Sequence, residues 1–287
     1  MRKGTQLEHF PNLVAMFLDR VEQRGDGPFL WAKRGGTWQS TSYRDAARQV
    51  AALSASLLKI GCKPGDRVML VSENRPEWLI ADLAIMAAGC VTVPTYTTNT
   101  TRDHTHILTN SGARAVIVST QKLAKALIPA VLFSSDCHDV IGIEDIRTGQ
   151  PVNGARFHHW DELVAGEGDV EAVRKRVAGI RREDLACLIY TSGTGGAPRG
   201  VRQHHGAILH NVAACTDVIA NDFTWEDEVF LSFLPASHAY EHSGGQMFPI
   251  GLGAQIYYAE SLEKLATNIE EVRPTLMVVV PRLLEML

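Results

Sequence analysis

Tyr190-Thr191-Ser192-Gly193-Thr194-Gly195-Gly196-Ala197-Pro198-Arg199-Gly200 continues without a break from the apolar run Leu185-Ala186-Cys187-Leu188-Ile189. The arrangement is a buried strand running into a glycine-rich turn. Binding phosphate through the main chain needs N–H groups free to converge on oxygen anions. Glycine permits that close approach and the positive φ it often requires. Residues 191–196 supply three hydroxyls and three glycines. Arg199 adds a cation, and Pro198 stiffens the approach to it. The string is not a Walker loop, because GxxxxGK[ST] is absent, and it is not GxGxxG after a first strand. A Gly/Thr/Ser cluster of this kind is also compatible with a plain surface turn.

Outward from the loop, the chain alternates. Upstream, residues 66–71, 90–93, 113–119 and 140–143 read as short buried strands. Helical patterns at residues 43–60, 77–88, 100–110 and 121–130 separate them. Pro76 sits where a first helical turn accepts it. Nearer the start, residues 13–21 carry apolar residues at helical spacing, and Gly35-Gly36 predicts a hairpin turn before Trp38. Downstream, helices are expected at 205–219 and 262–272, and strands at 228–234, 254–258 and 275–280. Pro281 opens one more helix, with no stop signal by Leu287, so the chain looks cut. Strands separated by helices imply βαβ units and a largely parallel sheet. Residues 145–184 are less regular, and a boundary between two subdomains is placed there.

Composition excludes several classes. The 287 residues are 45% hydrophobic and 21% charged, with a net charge of −4. That suits a globular α/β protein and leaves no electrostatic footprint for nucleic acid. No apolar run reaches the roughly 18 residues of a membrane-spanning helix. The N-terminus lacks an uninterrupted apolar stretch before a small-residue cleavage site, so it reads as mature protein. Five scattered cysteines without a CxxC suit a reducing compartment and a packing role.

The eleven-residue string closely resembles the signature YTSGTTGxPKGV of the AMP-forming acyl-CoA synthetase, luciferase and peptide-synthetase adenylation superfamily. Other segments extend the resemblance. Gly65-Asp66-Arg67-Val68 and Glu73-Asn74-Arg75-Pro76-Glu77-Trp78 are similar to its N-terminal segment. Gly89-Cys90-Val91-Thr92-Val93-Pro94 is similar to its GAVxVP turn. Phe233-Leu234-Pro235-Ala236-Ser237-His238-Ala239-Tyr240-Glu241 and the residues from Arg273-Pro274-Thr275 to Pro281-Arg282 resemble segments of long-chain fatty acid–CoA ligases. Two residues depart from the signature. Gly195 stands where threonine is usual, and Arg199 where lysine is usual; arginine keeps the charge and grips phosphate with two donors.

The resemblance implies a layered αβαβα N-terminal domain with mostly parallel sheets, here without its C-terminal domain. It implies ATP-dependent activation of a long-chain fatty acid to acyl-AMP and then acyl-CoA, with ATP, Mg²⁺ and CoA as participants. Thr191, Ser192, Gly193, Thr194, Gly195, Gly196 and Arg199 would hold the phosphates. His238 would face the acyl substrate as the candidate catalytic group. Tyr240, Gly244 and Gly245 would join it in lining the fatty-acid entrance. The YGxTE and TGD segments of the family, its hinge and its C-terminal lysine do not occur in these residues, so the chain alone is expected to be inactive. The small molecules are the expected partners, in the cytoplasm or at the inner face of a membrane. Peripheral membrane contact and a homodimer stay open.

Two alternatives compete. The first is a nucleotide-binding or interaction module without catalysis. The second rests on His238-Ala239-Tyr240-Glu241-His242, which fits the HxxEH pattern of inverted zinc proteases. A helix would set His238 and His242 on one face with Glu241 as base, but a third ligand must come from elsewhere. No metal ligand is assigned. His205, at the start of the helix after the loop, suits a structural role, and His104, His106, His158 and His159 are expected at the surface or in loops.

Overall fold

The computed structural model describes residues 9–148, 154–191, 197–222 and 227–284. Helix α1 (Leu13–Arg24) opens the fold, followed by the hairpin β1 (Pro28–Arg34) and β2 (Thr37–Ser42) and by α2 (Tyr43–Lys59). Then come β3 (Arg67–Val71), α3 (Pro76–Ala87), β4 (Val91–Thr95), α4 (Thr101–Ser111), β5 (Ala113–Val118), α5 (Gln121–Leu132) and β6 (Asp139–Gly142). Next are β7 (Arg156–His159), α6 (Trp160–Val164), α7 (Val170–Val177), β8 (Leu185–Thr191), β9 (Arg199–His204) and α8 (His205–Asp222). The last elements are β10 (Val229–Ser232), α9 (Ala239–Glu241), a π-helix (His242–Met247), α10 (Phe248–Leu252), β11 (Gln255–Tyr258), α11 (Leu265–Val272) and α12 (Pro281–Leu284).

Local chemistry explains the boundaries. Asn12 caps α1 by accepting from Ala15 N, and its amide nitrogen donates to Val177 O at 2.8 Å, tying α1 to the end of α7. Thr100 and Asp103 form a reciprocal capping box on α4. Gly35 and Gly36 both have positive φ, 59° and 80°, as a two-residue hairpin turn between right-twisted strands demands.

The strands form two sheets. The larger has the order β7-β6-β5-β3-β4-β8-β9 and is parallel except for β9, which returns antiparallel beside β8. The smaller has the order β10-β11-β1-β2, and only the β1–β2 hairpin is antiparallel. The inner strands of both sheets are buried on both faces, and the period of two divides them between cores, whereas β2 and β9 at the sheet edges are largely exposed or half-buried. In β3, Val68 and Leu70 enter a central core, while Met69 and Val71 enter an outer one. In β11, Ile256 and Tyr258 face the centre, while Tyr257 faces the far side. The central core packs α1, α2, α3, α8 and α10 between the sheets. Helices α4 and α5 cover the outer face of the larger sheet, and α11 with Leu283 covers that of the smaller. The result is the expected order αβαβα with mostly parallel sheets. Helix α3 lies in the middle layer, and eleven of its twelve residues are buried, which explains why its sequence is apolar on every side.

Three sequence expectations need correction. The described residues from 154 to 184 are more regular than their glycines suggested: β7 extends the larger sheet, and α6 and α7 pack near α2. Residues 275–280 do not form a strand. Leu276 makes one isolated bridge to Phe230, and Thr275 and Leu276 both donate to Val229 O. These residues lie beyond β10 at the sheet edge, with no further strand beside them among the described residues. Finally, His104 is a buried residue of α4, 1% exposed, sharing the inward stripe with Ile107, Leu108 and Ser111. Burial pushes its imidazole pKa down to about 4.

Candidate functional site

Residues 192–196, which carry Ser192, Gly193, Thr194, Gly195 and Gly196, lie outside the described residues. The two stems of the loop are described. In the β8–β9 ladder Thr191 pairs with Arg199, so their side chains leave the same face at the base of the loop. Both are exposed. Helix α4 holds each stem. The Tyr190 hydroxyl donates to Asn110 Oδ1 at 2.6 Å. His106 Nε2 lies 2.8 Å from Pro198 O, and because a carbonyl only accepts, that nitrogen carries the proton. The His106 ring also meets Tyr190 edge to face. Gly200 lies flat on the Tyr190 ring, where a Cβ would come within 3.0 Å of Cζ.

Strand direction brings a second feature to the same edge. β3, β4 and β8 are parallel neighbours, so Val71, Thr95 and Thr191 end together. β10 and β11 also run parallel, with Ser232 opposite Tyr258 at their ends. The residues that follow four of these strands enclose a cleft of about 410 Å³. Ser72, Glu73 and Asn74 follow β3, and Tyr96, Thr97 and Thr98 follow β4. Phe233 to Ser237 follow β10, and Ala259 to Leu262 follow β11. A crevice outside the carboxyl ends of parallel strands is where open α/β sheets bind ligands. Its lining mixes hydroxyls and the Glu73 and Glu260 carboxylates with the apolar Phe233 and Leu262. The resemblance placed the segment from Pro235 to Gly245 at the fatty-acid entrance, but the sequence reading did not single out residues 72–74, 96–98 and 259–262, which follow observed strand ends.

The predicted acyl-entrance residues His238, Tyr240, Gly244 and Gly245 follow Ser237 in the chain, and none of them lines that cleft. His238 is exposed, begins α9, and accepts from Tyr240 N through Nδ1 at 3.2 Å. Tyr240 is half exposed, and its hydroxyl donates to Val279 O at 3.3 Å. Gly244 faces Val278, whose Cγ2 would lie 3.2 Å from an added Cβ. Gly245 does not open onto a channel in this conformation. The Glu241 carboxylate occupies the space where its Cβ would stand.

Glu241 itself is 1% exposed. Burial pushes its carboxyl pKa up to about 8, against smaller downward effects of its bonds to Ser232 and Gln246. Around neutral pH it is therefore largely a neutral acid, the form that costs least in an apolar interior. His242 is fully buried, and its Nε2 lies 2.9 Å from Asp82 Oδ2 on α3. The HxxEH histidines are thus divided, one at the surface and one committed to a buried carboxylate. Among the described residues no group of three or more His, Cys, Asp and Glu is placed to hold a metal ion.

His205 and the buried cysteines belong to the packing of the fold. His205 begins α8, is buried, and accepts from Leu13 N; burial holds its imidazole down to about 4. Burial raises the Cys62, Cys90 and Cys137 thiols to between about 11 and about 12, and also lifts the Cys187 thiol well above its ordinary value. Those four buried cysteines are core residues rather than nucleophiles. Among the described residues no helix is long and apolar enough to cross a membrane.

Comparison with known proteins agrees with this geometry. The AMP-binding enzyme family matches residues 17–287. The long-chain-fatty-acid–CoA ligase FadD15 of Mycobacterium tuberculosis is 28% identical over 278 residues, covering 96% of this chain and 44% of that ligase. The peroxisomal long chain acyl-CoA synthetase 7 of Arabidopsis thaliana is 30% identical over 295 residues, covering 98% and 39%. This chain therefore spans less than half the length of either relative. Among solved structures, the inhibitor-bound N-terminal domain of FACL13 from Mycobacterium tuberculosis superposes with a TM-score of 0.79 at 21% identity, covering 96% of this chain and 65% of that one. A benzoate CoA ligase from Burkholderia xenovorans gives 0.74 at 24%, covering 93% and 50%. At these identities the structural likeness speaks for the fold. The sequence match over nearly the whole chain speaks for more: the protein belongs to the AMP-binding enzyme family.

Proposed function

We propose that this chain is the nucleotide-phosphate and acyl-entry part of a long-chain fatty acid–CoA ligase. The carrying observation is that the loop stem leaves the same end of the larger sheet from which residues after β3 and β4 enter the cleft, where they meet the residues after β10 and β11 of the smaller sheet. In the proposed reaction a carboxylate oxygen attacks the α-phosphorus of ATP, and pyrophosphate leaves with Mg²⁺. The CoA thiolate then attacks the acyl carbon, and AMP departs with the electron pair of the broken bond. The protein contributes mainly position and charge neutralisation. Residues 191–196 and Arg199 would hold the departing phosphates. His238 and Tyr240 would stand at the acyl entrance, with Gly244 and Gly245 behind them.

Long-chain preference is supported by the names of the relatives and by the segments at 233–241 and 273–282. The proposal is tested with the protein from which these residues come: pyrophosphate release with ATP, Mg²⁺ and palmitate, compared with benzoate. Turnover on benzoate alone overturns the long-chain assignment. The 287 residues by themselves contain neither YGxTE nor TGD, so they are expected to bind nucleotide without turnover. Turnover at ordinary enzyme rates by this chain alone refutes that expectation. A titration with Mg·ATP, repeated on Arg199→Ala, measures the binding.

A further inference from the structure

The wall of the cleft made by residues 233–237 joins β10 to α9, and so leads directly to His238. One side chain from the other sheet holds this wall. Asn74, two residues past the cleft-lining Ser72 at the end of β3, donates through Nδ2 to Leu234 O at 2.6 Å and to Ser232 Oγ at 3.0 Å. Its Oδ1 accepts from Ala236 N at 2.9 Å. A single amide thus satisfies groups at positions 232, 234 and 236, and does so across the gap between the two sheets. Only a side chain with both a donor and an acceptor end can do this.

The contact continues inward. Ser232 Oγ donates to Glu241 Oε1 at 2.6 Å and accepts from Gln246 Nε2 at 3.0 Å. Gln246 Oε1 accepts from the Tyr258 hydroxyl at 2.9 Å. The chain Asn74–Ser232–Glu241/Gln246–Tyr258 therefore links the end of β3 to β10, α9, the π-helix and β11. Ser232, Glu241, Gln246 and Tyr258 are all buried, so each bond is made away from water and each lost partner leaves an unsatisfied group. On the cleft side, His238 N donates to Pro235 O at 2.9 Å, which passes the fixed position of 234–236 on to His238.

We propose that Asn74 is a positioning residue: it fixes the 234–237 wall of the cleft and, through it, His238. Its bearing on catalysis rests on the proposed function, but its hold on the wall does not. The test is residue-resolved amide hydrogen exchange on this chain, wild type against Asn74→Ala and Asn74→Asp. In Asn74→Ala, exchange at Ala236 should rise roughly tenfold or more, as expected when a local hydrogen bond is lost. The amides of the β5–β6 ladder should keep their protection. Asn74→Asp retains the acceptor for Ala236 N but replaces the donor facing Leu234 O with a carboxylate oxygen. It should restore protection at Ala236 relative to Asn74→Ala. Unchanged exchange at Ala236 in Asn74→Ala overturns the proposal. So does equal loss at Ala236 in both variants, because the acceptor would then be irrelevant. If Asn74→Ala loosens the whole chain, the ratio of Ala236 exchange between the two variants decides. Failure of the wild-type chain to bind Mg·ATP counts against the proposed function alone.

Discussion

The stem of the glycine loop and the segment from His238 to Met247 each lead away from a parallel strand, yet they are held in opposite ways. The stem is secured from outside, by two side chains of α4 that reach Tyr190 and Pro198, and its paired Thr191 and Arg199 remain exposed. The histidine segment is secured from within. Glu241, His242 and Gln246 are buried, and their partners come from β10, α3 and β11. A phosphate site, as proposed for the loop, needs donors left free for the ligand. A wall that must keep its shape spends its polar groups on the protein itself. The glycines differ accordingly. Gly245 makes room for a carboxylate of its own chain, whereas on the proposed reading the loop glycines would let a phosphate approach the main chain.

This contrast is most exposed to failure at the buried end. Asp82→Ala should cost about 3–5 kcal/mol, because it leaves His242 buried without its partner. Chemical denaturation measures it, and a loss within the range of a surface change would show the segment to be loosely held. Gly245→Ala should cost about 1–3 kcal/mol, since the new methyl and the Glu241 carboxylate claim the same space; the midpoint of thermal unfolding reports it. Glu241→Gln tests the state of the acid. Its carboxyl goes from an ordinary 4.5 to about 8 on folding. Its contribution to stability is therefore complete below about pH 4.5 and lost as pH rises to about 8. Glutamine has no proton to lose, so the variant should flatten the pH dependence of stability across that window. An unchanged slope would mean that Glu241 is ionised in the folded protein.

At the loop the expected effects are smaller. Tyr190→Phe removes the bond to Asn110 and should cost about 1 kcal/mol. Arg199→Ala should change stability by no more than about 0.5 kcal/mol. It should nevertheless weaken Mg·ATP binding about tenfold or more, the value of one charge-assisted bond to phosphate. Calorimetry gives both quantities, and an Arg199→Ala chain that unfolds early but binds normally would reverse the comparison.

The two regions also differ in how they can be read. The loop is a run of neighbours in the sequence, and its order of residues alone carries the resemblance to the family that the chain belongs to. Most strands and helices were equally legible, because period-two and helical spacing are local, and the Gly35-Gly36 turn and Pro76 act where they stand. The wall is different. Asn74 meets Leu234 across 160 positions, and Asp82 meets His242 across the same separation. No local pattern marks such pairs. The edge strand β7 was hidden because Arg156-Phe157-His158-His159 alternates too briefly to register against its glycine-rich surroundings. Residues 275–280 erred the other way: they have the composition of a strand, but at the sheet edge only one bridge forms. His104 was within reach, since its spacing to Ile107, Leu108 and Ser111 is that of a helix's inner face.

The smaller sheet has a consequence for how the chain is made. Leu30 of β1 pairs with Ile256 of β11, and no nearer strand covers that edge of the hairpin. During synthesis β1 and β2 therefore emerge roughly 200 residues before their neighbour, a wait of ~10–40 s at ribosomal rates. Leu30, fully buried in the folded protein, lacks its β11 neighbour throughout, although Phe29 already has Phe17 and Tyr43 beside it. The hairpin can close early, but the layer it belongs to is completed only after β11 has emerged, and the central core cannot be sealed until it is.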